Sequence, residues 1–92
     1  MGKNISNPLK SKKSSVVKGT CKYLILHNDN INTFEHVINS LIDICEHDFV
    51  QAEQCALITH FKGKCDIKKG ELYPLKQMKK TLTEKGLSVT ME

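Results

Sequence analysis

Six short segments with regular apolar spacing follow residue 20, and their order restricts the folds that this chain can adopt. Residues 21–26 form an apolar run with aromatic and β-branched members, which is typical of a well-covered strand. Residues 34–45 carry apolar side chains at i, i+3, i+4, i+7, i+8 and i+11, which predicts an amphipathic helix. The other predicted elements are a helix over 49–61, a strand over 64–68, a helix over 72–82 and a strand over 87–91.

Polar residues and glycines mark the ends of these elements. Asn32 followed by Glu35 resembles a capping box, so the first helix is expected to have its N-cap at Asn32 or Thr33. Asp48 followed by Gln51 predicts the start of the second helix in the same way. The predicted stops are Gly63 after the second helix, a turn at Lys69-Gly70 and Gly86 after the third helix.

The order strand-helix-helix-strand-helix-strand is typical of an α+β fold. We expect a three-stranded antiparallel sheet with three helices packed on it, because 92 residues with 39% hydrophobic content suffice for one small core. Residues 1–19 lack apolar periodicity, which predicts a flexible basic N-terminal extension before a core domain over 20–92.

The positive charge of the chain is concentrated in its first residues. Residues 1–20 hold five lysines and no acid (+5), whereas residues 21–92 hold nine lysines and ten acids (−1), which together give the net +4. All 14 basic residues are lysine, so the guanidinium fork that reads phosphate or guanine is missing and specific nucleic-acid recognition is not expected. No run approaches the ~18 apolar residues that span a bilayer, so no membrane contact is expected.

Four cysteines and four histidines raise the questions of disulfides and of metal binding. The first ten residues lack the apolar stretch of a signal peptide, so a cytoplasmic protein with reduced thiols is expected. Cys45-x-His47 alone is a weak metal signal, and we interpret the cysteines as small buried apolar residues. Because a phosphate loop, a nucleophile elbow and an acid–base pair are also missing, we expect no enzyme, no catalytic residue, no metal and no cofactor.

One set of residues suggests a binding site. Its members are Asn28, Asp29 and Asn30 in a polar turn, Phe34 and Val37 on one face of the first helix, and Ala56, Thr59 and His60 on one face of the second helix. If the two helices pack side by side, these faces line one concavity that suits a ligand with a cationic head and an apolar body. Alternatively, the turn only reverses the chain and His60 only ends a helix.

Four segments occur in a characteristic order and spacing: YLILHNDN at 23–30, FEHV at 34–37, QAEQ at 51–54 and HFKGK at 60–64. Together they resemble the ClpS family of Clp protease adaptors, and the similarity covers residues 20–92. The resemblance implies a non-catalytic N-degron receptor for peptides and proteins that begin with a bulky residue such as Leu, Phe, Tyr or Trp. It also implies delivery of these substrates to a ClpA- or ClpC-type AAA+ unfoldase with ClpP.

The resemblance assigns roles to particular residues. Asn28, Asp29 and His60 match the family residues that bind the substrate α-amino group. The hydrophobic pocket carries over onto Asn30, Asn32, Phe34, Val37, Ala56, Thr59 and Leu87. Asn30 stands where the family often has a second Asp, and Phe34 stands where Met is frequent. Asn32 replaces a frequent Thr, and Ala56 and Thr59 replace larger apolar residues. A somewhat different set of accepted first residues is therefore expected.

The surface that would face the unfoldase is implied at four positions, which are Phe61, Lys64, Glu71 and Lys76. In the family the N-terminal extension engages the unfoldase, and a basic unstructured segment is easy to pull into a pore. The alternative interpretation is a ribosomal stalk-like protein interaction module without N-degron binding, whose basic tail would contact an acidic partner.

Overall fold

Three helices and three strands follow one another along the chain in the predicted order. The computed structural model describes residues 21–92, and the predicted extension over residues 1–19 lies outside the described residues. The elements are β1 (Cys21–His27), α1 (Phe34–Cys45), α2 (Phe49–Lys62), β2 (Lys64–Glu71), α3 (Leu72–Glu84) and β3 (Ser88–Met91). The predicted α+β class is confirmed.

The sheet is antiparallel, and β1 lies between β2 and β3. Leu24 and Leu26 alternate on β1, are almost fully buried and face the helices, and Val89 lies opposite Leu26 on β3. Ile25 is also buried, in keeping with the well-covered strand that the apolar run predicts. The register shifts between Leu24 and Ile25, which leaves Ile67 as the extra residue of β2, buried in the core.

The helices bury their apolar stripes against this sheet and against each other. Leu41 and Cys45 of α1 are fully buried, as are Leu75 and Leu82 of α3. The buried face of α2 consists of small residues, namely Ala52, Cys55, Ala56 and Thr59. Because these side chains are short, α1 and α2 can lie close together, and the start of α1 and the end of α2 meet near the end of β1.

The helix ends agree with the predicted signals, and Thr33 is the N-cap of α1 out of the two predicted candidates. The Thr33 hydroxyl accepts a hydrogen bond from the backbone N–H of His36 and is the N-cap of α1, so Asn32 is free for another role. Asp48 caps α2 by accepting the N–H of Gln51 at 2.8 Å, as predicted. Gly63 ends α2 with a φ of 96°, a left-handed angle that glycine adopts without steric cost.

One prediction about these elements is wrong. Lys69 and Gly70 do not turn the chain, because β2 continues to Glu71 and Gly70 pairs with Lys22. The strand therefore runs directly into α3, where Pro74 lies in the first turn, a position that tolerates proline.

The prediction that the cysteines are buried is correct for only two of the four. Cys45 and Cys55 are buried, but Cys65 is half-buried and Cys21 is exposed at the start of β1, and all four thiols are free. Burial raises the pKa of Cys45 to about 11 against the opposing charge of Lys68, so this thiol stays protonated. No helix within residues 21–92 is long and apolar enough to cross a membrane.

Candidate functional site

A cavity of about 330 Å³ opens where the loop after β1, the start of α1, the end of α2 and the start of β3 meet. Twelve residues line it: Leu26, His27, Asn28, Asp29, Asn30, Asn32, Phe34, Val37, Ala56, Thr59, His60 and Leu87. The structure thus brings together all ten residues that were predicted for amine binding and for the pocket. Leu26 and His27 were missed, although Leu26 ends the predicted strand and His27 directly precedes Asn28.

The interior of the cavity is apolar. Leu26, Ala56 and Leu87 are each less than 5% exposed, and Val37 is half-buried beside them. Thr59 is also buried, and its hydroxyl donates to the Cys55 carbonyl oxygen at 2.8 Å, so its polar group is already paired within α2. Short side chains on α2 therefore leave apolar space between the two helices.

Aromatic rings lie along one side of the mouth. Phe34, in the first turn of α1, is 42% exposed and meets the ring of His60 edge-on, with ring centroids 6.5 Å apart. His60 is exposed near the end of α2 and meets the Phe61 ring edge-on at 4.9 Å. This edge-to-face geometry is favourable between aromatic rings and sets the position of His60 at the rim.

Asp29 forms the acidic part of the mouth. Its Oδ1 accepts the backbone N–H groups of Ile31 and Asn32, both at 3.0 Å. Its Oδ2 accepts the Asn32 side-chain amide at 2.8 Å and the Ser88 hydroxyl at 3.3 Å. Burial opposes ionisation, but these hydrogen bonds outweigh it and lower the pKa of Asp29, so the group is a carboxylate at neutral pH.

Asn28 is held by its backbone rather than by its side chain. Its N–H donates to the Gly63 carbonyl oxygen at 2.9 Å, which ties the start of the loop to the end of α2. The side chains of Asn28 and His60 are exposed, and both residues line the cavity. The described residues contain no group of three or more His, Cys, Asp or Glu side chains that could hold a metal ion.

The four residues predicted to face an unfoldase are not among the residues that line the cavity. Phe61 is 76% exposed beside His60, Lys64 begins β2, and Glu71 is the N-cap position of α3 without a side-chain capping bond. The Lys76 ammonium lies over the Tyr73 ring at 5.9 Å on α3. Their assignment to an unfoldase contact stays a prediction.

Comparison with known proteins identifies the family. The family model described as ATP-dependent Clp protease adaptor protein ClpS matches residues 21–90. The chain belongs to the ClpS family. No curated protein sequence matches the chain. Among solved structures, this ClpS-family chain is similar to Agrobacterium tumefaciens ClpS2 bound to L-phenylalaninamide, with a TM-score of 0.76 and 19% identity. The match covers 79% of this chain and 95% of the ClpS2 chain, and it shows a common fold.

Membership of the ClpS family fixes the class of the protein. ClpS proteins are adaptors of an ATP-dependent protease, and such adaptors are generally non-catalytic. We therefore interpret the cavity as a binding site.

Proposed function

We propose that this ClpS-family chain is a cytoplasmic N-degron adaptor. Its cavity would bind the free α-amino group and the bulky hydrophobic first residue of a substrate protein. The adaptor would then deliver that substrate to a ClpA- or ClpC-type AAA+ unfoldase with ClpP. One observation carries the proposal: an apolar interior opens at a mouth that combines the Asn28 amide, the Asp29 carboxylate and the His60 ring.

Recognition of the amine follows from the acceptors at the mouth. An ammonium group offers three hydrogen-bond donors and a positive charge, so its site needs acceptors and negative charge. The Asp29 carboxylate already accepts four hydrogen bonds, which fill its roughly four lone-pair positions. Asp29 would therefore contribute charge, while the side chains of Asn28 and His60 would accept the ammonium protons directly.

Internal peptide segments do not suit these acceptors as ligands. A peptide N–H is one neutral donor and cannot satisfy two acceptors beside a carboxylate. Burying these polar groups against an uncharged amide leaves them unpaired, which costs about 1–3 kcal/mol for each group. The polar mouth would thus select the first residue of a chain over internal residues. The apolar interior would select which side chain that first residue carries.

The interior matches one large apolar side chain. A volume of about 330 Å³ is near the lower end of the ~300–1,000 Å³ of small-molecule sites, so the cavity has room for one residue and its amine. Burying a Leu- or Phe-sized side chain there contributes about 1.5–3 kcal/mol. Ala56 and Thr59 provide space on the α2 side, whereas Phe34 narrows the α1 side of the mouth.

Titration of labelled peptides tests the binding step. A peptide that begins with Phe should bind at micromolar strength or tighter, about −8 kcal/mol, and acetylation of its amine should abolish binding. Asn28→Ala and His60→Ala should each weaken binding of the free peptide at least fivefold, which corresponds to loss of about one hydrogen bond. Asn39→Ala, an exposed change on α1, is the matched control and should have no effect. Equal affinity for the free and acetylated peptides would refute the proposal.

Delivery to the protease requires its own test. The exposed positions Phe61, Lys64, Glu71 and Lys76 are proposed as the unfoldase contact. Lys76→Glu with Glu71→Lys should leave peptide affinity unchanged, because neither residue lines the cavity. In a reconstituted unfoldase–ClpP reaction, the same double variant should slow degradation of a reporter that begins with Phe. Undiminished degradation would place the unfoldase contact elsewhere.

A further inference from the structure

A small network of hydrogen bonds joins the first helix to the turn that precedes β3. The side-chain amide of Asn32 donates to the Gly86 carbonyl oxygen at 2.8 Å. The Nε2 atom of His36 lies 2.8 Å from the carbonyl oxygen of Lys85. The Ser88 hydroxyl donates to Asp29 on the other side of the turn. Residues separated by about fifty positions in sequence are thereby held in one place.

This turn carries one wall of the cavity. Lys85, Gly86 and Leu87 connect α3 to β3, and Gly86 has a φ of 94°, which most L side chains rarely adopt. Leu87 is 4% exposed and lines the cavity, so the turn sets how far its side chain extends into the pocket. Within the turn, the Leu87 N–H donates to the Leu82 carbonyl oxygen at 3.1 Å.

His36 is suited to hold this turn because of the acceptor it meets. The last carbonyl groups of a helix lack intrahelical partners, and Lys85 is the C-cap of α3. A carbonyl oxygen only accepts, so Nε2 of His36 carries the proton and donates. The His36 ring is half-buried and does not line the cavity, so it acts on a ligand only through the turn.

We propose that His36 is a positioning residue that, together with Asn32, clamps the Lys85-Gly86 turn and thereby fixes the Leu87 wall of the cavity. The clamp sets the size of first side chain that the pocket accepts. The specificity part of this inference rests on the proposed N-degron function, whereas the clamp itself is a property of the free protein. Without these hydrogen bonds, the turn and the Leu87 side chain can move, and the pocket discriminates less between a larger and a smaller first side chain.

Substitutions at His36 separate the clamp from general helix packing. His36→Leu keeps a side chain of moderate size but replaces the polar ring with an apolar group, which removes the donor. His36→Gln keeps an N–H at a similar reach and should preserve the clamp. His36→Ala also removes the donor and is the second variant if His36→Leu does not fold.

Amide hydrogen exchange of Leu87 in the free protein measures the clamp directly. Exchange should be about fivefold faster in His36→Leu than in the wild type, in keeping with the loss of one hydrogen bond, and unchanged in His36→Gln. Exchange at the wild-type rate in His36→Leu would overturn the clamp. This readout does not depend on any ligand.

Peptide affinities measure the effect on specificity. In His36→Leu, the affinities for a peptide that begins with Phe and for one that begins with Leu should become more alike, so that their ratio comes at least threefold closer to one. In His36→Gln, this ratio should stay at the wild-type value. Faster Leu87 exchange with an unchanged ratio would overturn the specificity role. If the wild type binds neither peptide, the proposed function and the specificity role fail together, and the exchange rates alone decide the clamp.

Discussion

Replacing Asp29 with Asn tests the interpretation of the cavity mouth through the stability of the free protein. The Oδ1 atom of Asp29 accepts two backbone N–H groups, and Oδ2 accepts the Asn32 amide and the Ser88 hydroxyl. If the new amide oxygen takes the Oδ1 position, its NH₂ group faces the NH₂ group of Asn32, so two donors oppose each other. The Ser88 hydroxyl can rotate and accept instead.

The expected magnitude follows from this count. The partly buried side-chain amide of Asn32 loses its hydrogen bond to residue 29, and the two backbone N–H groups lose a charged acceptor. The free energy of unfolding should therefore fall by about 2 kcal/mol. For a domain of this size, that corresponds to a drop in Tm of roughly 10 °C. Asp43→Asn removes the same charge from an exposed position on α1 and should change stability by less than about 0.5 kcal/mol.

The pH dependence gives a second readout. The pKa of Asp29 is lower in the folded protein than the unfolded value of about 3.9, so ionisation favours the folded state. This stability is present above the unfolded pKa and is lost as the pH falls through the folded pKa. Thermal melts should show a large Tm gap between the wild type and Asp29→Asn at pH 7, and a smaller gap at pH 3. Equal Tm values at pH 7, or a gap that does not shrink in acid, would refute this account of the mouth.

Three further predictions concern other parts of the chain. Phe34→Ala should admit peptides that begin with Ile or Val, because Phe34 narrows the mouth; an unchanged selectivity profile in a peptide titration would place this control elsewhere. Gly63→Ala should lower stability by about 1 kcal/mol, because the φ of 96° at this position strains any residue with a Cβ. Gly70→Ala is the control and should change stability little, because its new Cβ would lie 3.6 Å from Leu75, an ordinary van der Waals distance. Equal thermal melts of the two variants would contradict this prediction. Deleting residues 1–19 should leave peptide affinity unchanged but stop delivery in the degradation assay; loss of peptide binding would contradict the assigned role of the extension.

The sequence predicted the elements well where local signals act alone. The apolar stripe over residues 34–45 and the cap at Asp48 depend on neighbours three or four positions away, and both agree with the structure. The predicted turn at Lys69-Gly70 was wrong because a tertiary interaction overrides the local signal. Gly70 pairs with Lys22 on β1, and this partner is far away in sequence.

The cavity was predictable in its membership but not in its internal bonds. Helical spacing grouped Ala56, Thr59 and His60, and the family resemblance added Leu87, and all of these line the cavity. The bond between His36 and the Lys85 carbonyl oxygen joins residues 49 positions apart, so local sequence patterns contain no signal for it. Asn32 is similar, because a residue expected near the helix cap instead bridges Asp29 and Gly86.

The proposed function requires that one cavity accept a free amine together with a large apolar side chain. Titration of the chain with L-phenylalaninamide, followed in two-dimensional ¹H–¹⁵N NMR spectra, tests this requirement, with N-acetyl-L-phenylalaninamide as the matched control. Saturable shifts are expected only at residues of the cavity, such as Asn28, Ala56, Thr59 and Leu87, and no such shifts are expected with the acetylated compound. Equal shifts with both compounds, or shifts only at residues remote from the cavity, would show that the cavity does not recognise the free amine.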